Sequence, residues 1–391
     1  MKILSVNAGS SSLKFQMYEM PEEKALISGV FERIGIDNSF YTIKFNGEKE
    51  SKELVLKDHK QAFEVLIQEL MDHKVVNSLE EIKGVGHRIV QGGSYFDKTV
   101  VVDDDVIAKI DELSALAPLH NPAAIVGVKA AQAVIPNALQ TVVFDTAFHQ
   151  TMEEETYLYA IPYEWEEQYK IRRYGAHGTS HKYVALRASE ILGRTNTKLI
   201  TCHLGNGASV SAVKDLKCIN TSMGLTPNAG LVMGSRCGDI DATIVPYMMK
   251  KLNISPEEMD NILNKKSGLL GISGISSDSR DIEDGIAKGN ERCLLAQKMF
   301  VRRVIDYIAK YYVELEGCDA IIFTAGIGEN GINTRREILD GLKVLGIEVD
   351  AETNNSRGKE VLISTSNSKI PCYVIPTDEE LMIARDTYNL I

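Results

Sequence analysis

Two glycine-bearing turns, NAGSSS at residues 7–12 and HLGNGAS at 203–209, expose backbone amides and small hydroxyls. Glycine lets the main chain come close to a bulky anion, so such turns can cradle phosphates. A single glycine-rich hairpin is more often just a hairpin, and neither turn is a Walker A loop, because GxxxxGK[ST] is absent. GISSDSR at 274–280 is another donor-rich turn, and FTAGIGENG at 323–331 supplies further glycines after an apolar run. Charged and imidazole residues fall at the ends of apolar runs and in turns: Arg88 after GVGH, Asp145 closing VVFD, His177 before GTS, Arg236 within GSRCGDID. Each alone could be an ordinary salt-bridged residue. Together they suit a site that holds several negative charges, where the arginine fork binds two oxygens at once. His120 and His181 are weaker candidates, and His59, His73 and His149 read as structural.

Strands must present these turns. Aligning Lys2 with Lys198 matches an apolar run, a polar residue (Asn7, His203), a glycine (Gly9, Gly205) and a second run, which is a strand, turn and strand written twice. A second pair, QTVVFDTAFHQ at 140–150 and DAIIFTAGIGE at 319–329, follows in the same order. Buried parallel strands all resemble one another, but two pairs in one order favour duplication. Apolar spacing predicts helices at 59–73, 103–116, 122–134, 180–192 and 290–315. Strands are expected at 2–7, 13–18, 40–45, 52–56, 85–90, 141–145, 198–203, 208–213, 320–324 and 372–375. This alternation implies two α/β halves with largely parallel sheets, each opening on a hairpin. Ligands of such sheets lie at the carboxyl ends of strands, so the turns are expected to face a cleft between two domains. The domains are expected at 1–149 with 383–391, and at 150–382.

With 391 residues the chain is long enough for two cores. Its 44% hydrophobic and 25% charged residues read as globular, and the net charge of −11 without basic runs argues against a nucleic-acid or anionic-membrane surface. Any anion must be met locally. The six cysteines form no CxxC pair and fit a reducing compartment. No run approaches the ~18 apolar residues of a membrane span, and Asn7 with three serines interrupts any leader-like stretch. The expected location is cytoplasmic.

The chain resembles the acetokinase family of the sugar kinase, heat-shock cognate and actin superfamily. The stretches that carry the likeness are NAGSSSLKF, HRIVQGG at 87–93, APLHNP at 117–122, VFDTAFH at 143–149, RRYGAHGTSH at 172–181, HLGNGAS, GDIDAT at 238–243, FTAGIGEN and PTDEE at 376–380. The resemblance implies a duplicated ribonuclease-H-like fold and reversible transfer of the ATP γ-phosphoryl group to acetate, giving acetyl phosphate and ADP. It implies magnesium, with manganese able to substitute, held with help from Asn7 and Glu379, and a homodimer. Lys14 would lie near the phosphates, and His203, Leu204, Gly205, Asn206 and Gly207 would form the phosphate loop. Asp278, Ser279 and Arg280, with Gly326, Ile327, Gly328, Glu329 and Asn330, would embrace the nucleoside. Arg88 would hold the acid's carboxylate, and Val90, Leu119 and Pro227 would seat its alkyl group. Asp145, His177 and Arg236 would be catalytic.

Two stretches depart from the family pattern: TPNAG at 226–230 in place of TPLEG, and GSRCGD at 234–239 in place of GTRSGD. The second leaves Arg236 in place and sets Cys237 beside it as a candidate for thiol modification. A carboxylic acid of pKa ~4.3 is ionised at neutral pH, so the nucleophile needs no base. Asp145 is then expected to orient magnesium or water. Two rivals remain: the same chemistry on propionate or butyrate, since one methylene is worth only about 1–3 kcal/mol, and a nucleotide-dependent protein clamp on the same fold. The acid-binding set Arg88, Val90 and Leu119 speaks against the clamp.

Overall fold

The computed structural model describes residues 1–391, which divide into two compact units, Met1–Gln150 with Asp378–Ile391 and Thr151–Thr377. The return crossing falls at 377/378, ahead of the expected 382/383, because the last helix, Glu379–Tyr388, starts at its cap Asp378 and belongs wholly to the first unit.

The first unit holds an eight-stranded sheet: β1 Lys2–Gly9, β2 Ser12–Glu19, β3 Lys24–Glu32, β4 Phe40–Phe45, β5 Glu48–Glu53, β6 Ile82–Ile89, β7 Val100–Val101 and β8 Leu139–Phe144, in the order β5-β4-β3-β2-β1-β6-β8-β7. Helix His59–Asp72 begins where the Asp58 carboxylate accepts from Gln61 N at 2.8 Å, which satisfies an orphan amide. It buries Phe63, Leu66 and Leu70, and helix Asn121–Val134 adds Ala130 and Ala131 to the same core under Leu4, Val6 and Phe15. Helix Glu379–Tyr388 lies against β6, where a Cβ on Gly84 would stand 2.8 Å from Thr387. Glycine there permits the approach that delivers Glu379.

The second unit holds β9 Lys198–Leu204, β10 Ala208–Lys214, β11 Lys217–Thr221, β12 Ala320–Thr324, β13 Val361–Leu362 and β14 Cys372–Val374, ordered β11-β10-β9-β12-β14-β13. The 24-residue helix Glu291–Glu314, capped by Asn290, packs Phe300, Val304, Ile308 and Tyr311 under this sheet.

The duplication is visible in the order of strands. β3-β2-β1-β6-β8 matches β11-β10-β9-β12-β14, with antiparallel hairpins on one side of β1 and β9 and parallel neighbours on the other. The first expected pair, β1 with β9, is therefore equivalent. The second is not: β8, containing QTVVF, matches β14, whereas β12 matches β6. Continuous apolar runs report burial on both faces and not lateral position, so the likeness of 140–150 to 319–329 could not distinguish fourth from fifth strand.

The sheets are also mixed rather than largely parallel, since β2 to β5 and β10 to β11 are antiparallel additions. The strand expected at 52–56 lies earlier, at Glu48–Glu53, and is wholly exposed. Leu56 instead leaves the sheet and is buried. An edge strand of alternating charge resists further pairing. Strands β3 and β11, and helices such as Ile244–Leu252, Pro256–Lys265 and Ile332–Gly341, were not legible from apolar spacing.

Candidate functional site

In the first unit, chemistry gathers where β1, β6 and β8 end. Arg88 Nε donates to Asp145 Oδ1 at 3.0 Å and Nη2 donates to Oδ2 at 2.6 Å. Asp145 N donates to Ile89 O at 2.9 Å, so the backbone extends the β6–β8 ladder and fixes the carboxylate. Asp145 is fully buried, and its charge holds Arg88 firmly protonated. Glu379 arrives on the C-terminal helix, pinned by Ser5 Oγ donating to Glu380 O at 2.6 Å. Desolvation pushes the Glu379 carboxyl up to about 6, opposed by Arg88 and reinforced by Asp145. Lys14, paired across the hairpin with Asn7, bonds to Glu380. Val90 is half-buried just past β6, and Leu119 is 66% exposed. Pro227 belongs to the second unit.

In the second unit the β9–β10 turn, Gly205 to Gly207, is one residue wider than its β1–β2 counterpart and is tied by Gly234 N donating to Asn206 O at 2.9 Å. A Cβ built on Gly207 would lie 3.3 Å from Arg236 Nη1 and 3.4 Å from His177 Nε2, so these two groups converge over its hydrogens. His177 adopts a left-handed φ of 59° at the start of helix Gly178–Leu192, a conformation uncommon outside glycine. Its ring stacks on His203 at 4.0 Å between centroids. Arg236 donates only to Pro227 O, at 3.3 Å, and to the Met233 sulfur; burial lowers its pKa and no carboxylate offsets that. A half-buried guanidinium without a counter-charge is a ready anion seat.

Beside this lies a cavity of about 590 Å³ lined by Gly205, Asn206, Asp278, Ser279, Arg280, Gly326, Ile327 and Asn330. Asp278 caps helix Ser279–Ala287 through Arg280 N and also binds the Arg280 guanidinium, which draws its carboxyl down to about 2. Six expected nucleotide residues do not line the cavity. Lys14 belongs to the first unit, His203 stacks on His177, and Gly207 lies against Arg236 and His177. Leu204 is core, Gly328 packs on Phe323, and Glu329 accepts from Ala325 N at 2.9 Å and Thr377 N at 3.1 Å, shaping the turn from behind. Ser277, Glu283, Gly331 and Arg357 also line it and were not among the expected residues. Glu283 follows Ser279 by one helical turn, which is the one signal that could have pointed to it.

The two departures touch one another: Cys237 Sγ donates to Asn228 Oδ1 at 3.6 Å. Burial pushes the Cys237 thiol up, which disfavours the reactive thiolate. His59 bonds to Gly9 O and His73 to Glu69 O, while His181 is buried against Ser209 and Thr201 and His120 is exposed.

One strand order used twice, each time opening on a hairpin turn, defines a duplicated ribonuclease-H-like α/β protein of the actin-like ATPase type. A family model described as the Acetokinase family matches residues 2–385, and the chain belongs to that family. It is 53% identical to a Bacillus velezensis protein named acetate kinase, over 100% of this chain and 99% of that one. Among solved structures it resembles Porphyromonas gingivalis acetate kinase, with 44% identity, TM-score 0.95 and 100% and 99% of the two chains covered. It is equally similar to a propionate kinase from Francisella tularensis, with 45% identity, TM-score 0.94 and both chains wholly covered. No helix is long and apolar enough to cross a membrane.

Proposed function

We propose that the protein phosphorylates acetate reversibly with ATP by direct in-line transfer, acting as an ATP:acetate phosphotransferase. The observation that carries this reading is the pair of arginines. Arg88 is neutralised by Asp145 and oriented by it, whereas Arg236 has no counter-charge and stands with His177 over a glycine turn. An acid anion must approach a polyanion, and such a reaction needs an uncompensated cation where charge accumulates. Arg236 and His177 meet the phosphoryl oxygens, with the amides of Gly205 to Gly207 behind them. Arg88 presents to the acid the guanidinium edge that Asp145 leaves unused. Asp145 thereby positions Arg88 and has no proton to abstract from an ionised acid. In the first unit, Val90 and Leu119 are assigned to the alkyl group. Asp278, Ser279, Arg280, Gly326, Ile327 and Asn330 hold the nucleoside.

The donor set fits magnesium. No three acidic, histidine or cysteine residues form a metal cage, and magnesium characteristically takes one or two protein oxygens while keeping water and substrate phosphates. Glu379 and the Asn7 amide oxygen would supply those, and a divalent cation would relieve both the desolvation that raises Glu379 and the smaller repulsion from Asp145 and Glu380. When bound, the metal offsets phosphate charge. A homodimer is the further proposal: helix Ile244–Leu252 buries none of its residues and exposes Ile244, Tyr247 and Leu252 at 45%, 65% and 53%.

Hydroxamate trapping of acyl phosphate across acetate, propionate and butyrate tests the activity. Trapping with acetate supports it; ATP hydrolysis indifferent to any acid refutes it. Light scattering tests the dimer, and a 43 kDa particle would refute it.

A further inference from the structure

Behind His177 runs a hydrogen-bonded series of two rings and two hydroxyls. His177 Nδ1 lies 2.9 Å from Ser209 Oγ, His181 Nε2 lies 2.7 Å from the same oxygen, and His181 Nδ1 lies 2.7 Å from Thr201 Oγ1. Ser209, His181 and Thr201 are fully buried. The protons of such a series can run either way, and the direction decides what His177 offers through Nε2. If they run inward from His177, Nε2 holds a lone pair that repels a phosphoryl oxygen. If they run outward from Thr201, Nε2 carries a proton.

Thr201 favours the outward direction. Its other acceptor, Ser211 O, is 3.5 Å away, too long for a good bond, so its hydroxyl proton belongs to His181 Nδ1. Burial opposes a second proton on His181. Its Nε2–H therefore points to Ser209, and Ser209 gives its own proton to His177 Nδ1. The groups facing His177 also oppose a charged ring: His203 stacks on it at 4.0 Å, and Arg236 stands across Gly207. His203 is held separately, its Nδ1 2.8 Å from Ser180 Oγ.

We propose that His181 and Ser209 are positioning residues that hold His177 as a neutral donor through Nε2, aimed with Arg236 at the transferred phosphoryl group. This rests on the role given to His177 above. Nitrogen-15 NMR of histidine-labelled full-length protein, with magnesium, ADP and acetate, reads the tautomer directly. The expected result is Nε2–H on His177 in the wild type and a mixture in Ser209→Ala and in the near-isosteric Thr201→Val.

In both variants kcat falls about ten- to a hundredfold, by analogy with the loss of outer hydrogen-bond partners of metal-bound imidazoles, while KM for ATP stays within about threefold. Wild-type kcat is flat above about pH 6.5, and in the variants it declines there, because a protonated ring always presents Nε2–H whereas the neutral mixture presents it in only a fraction of molecules. Nδ1–H on His177 in the wild type overturns the proposal, as does an unchanged kcat and pH profile in both variants. His177→Ala separates the two levels. Near-normal turnover there refutes the site reading itself, and collapse there with an indifferent Ser209→Ala refutes only the relay.

Discussion

Gly207→Ala places a methyl group beside Arg236 and His177, the two donors proposed to meet the phosphoryl group. The backbone there is not left-handed, so alanine meets no torsional barrier. The new carbon would stand 3.3 Å from Arg236 Nη1, 3.4 Å from His177 Nε2 and 3.5 Å from His177 Cε1. Relief requires only a few tenths of an ångström, and the lost chain entropy of glycine favours the variant by about 0.4–1 kcal/mol. Stability should therefore stay within about 1 kcal/mol, or a few degrees in Tm. Catalysis should not be spared. The methyl occupies the space where a phosphoryl oxygen would contact both donors, displacing it by on the order of 1 Å, a misplacement that costs about a hundredfold in rate. Coupled ATP turnover with saturating acetate, alongside calorimetry, measures both quantities. A kcat within threefold of wild type at unchanged Tm would refute the convergence of Arg236 and His177 on the reacting group.

Arg236→Ala removes a cation that no carboxylate depends on, so it should lose about a thousandfold or more in kcat with Tm nearly unchanged and KM for ATP within a few-fold; turnover within tenfold of wild type misassigns it. Arg88→Ala should weaken acetate use and also destabilise by about 3–5 kcal/mol, because it strands the buried Asp145 carboxylate. Adding Asp145→Asn should restore Tm without restoring acetate use, and recovery of both would end the acid-binding role. Val90→Ala should raise the propionate-to-acetate ratio of kcat/KM about five- to thirtyfold, from about 1–2 kcal/mol of apolar contact; an unchanged ratio with a lowered Tm makes Val90 ordinary packing. His87, fully buried and donating to Gln140, is lowered from 6.5 to about 4. The unfolded chain binds its proton first, so this stability is whole above pH 6.5 and is lost as pH falls towards 4, by about 3 kcal/mol. His87→Gln should flatten that slope in urea titrations, and an unaltered slope would show that His87 does not set it.

The sequence by itself determined what neighbours along the chain can decide. Asp58 and Asn290 start their helices because a side-chain oxygen reaches an amide two or three residues on. Gly9 and Gly205 mark the hairpins because a turn is a local conformation. The residue types at strand ends suit an anion site, and the family resemblance assigns roles to them. Tertiary structure decided the rest. Which buried strand lies fourth and which fifth depends on pairing between distant segments, and β6, β8, β12 and β14 present the same apolar surface to a reader of sequence. Arg88 and Arg236 are indistinguishable as letters. One finds a carboxylate 57 residues away and the other finds none, and that difference in desolvated charge separates a paired arginine from one poised for an anion. Glu283 and Arg357 reach the cavity beside Gly205 only because helix and loop fold over it. The hydrogen-bonded series through Thr201, His181 and Ser209 likewise joins β9, β10 and a helix, because contacts between distant segments are not written along the chain.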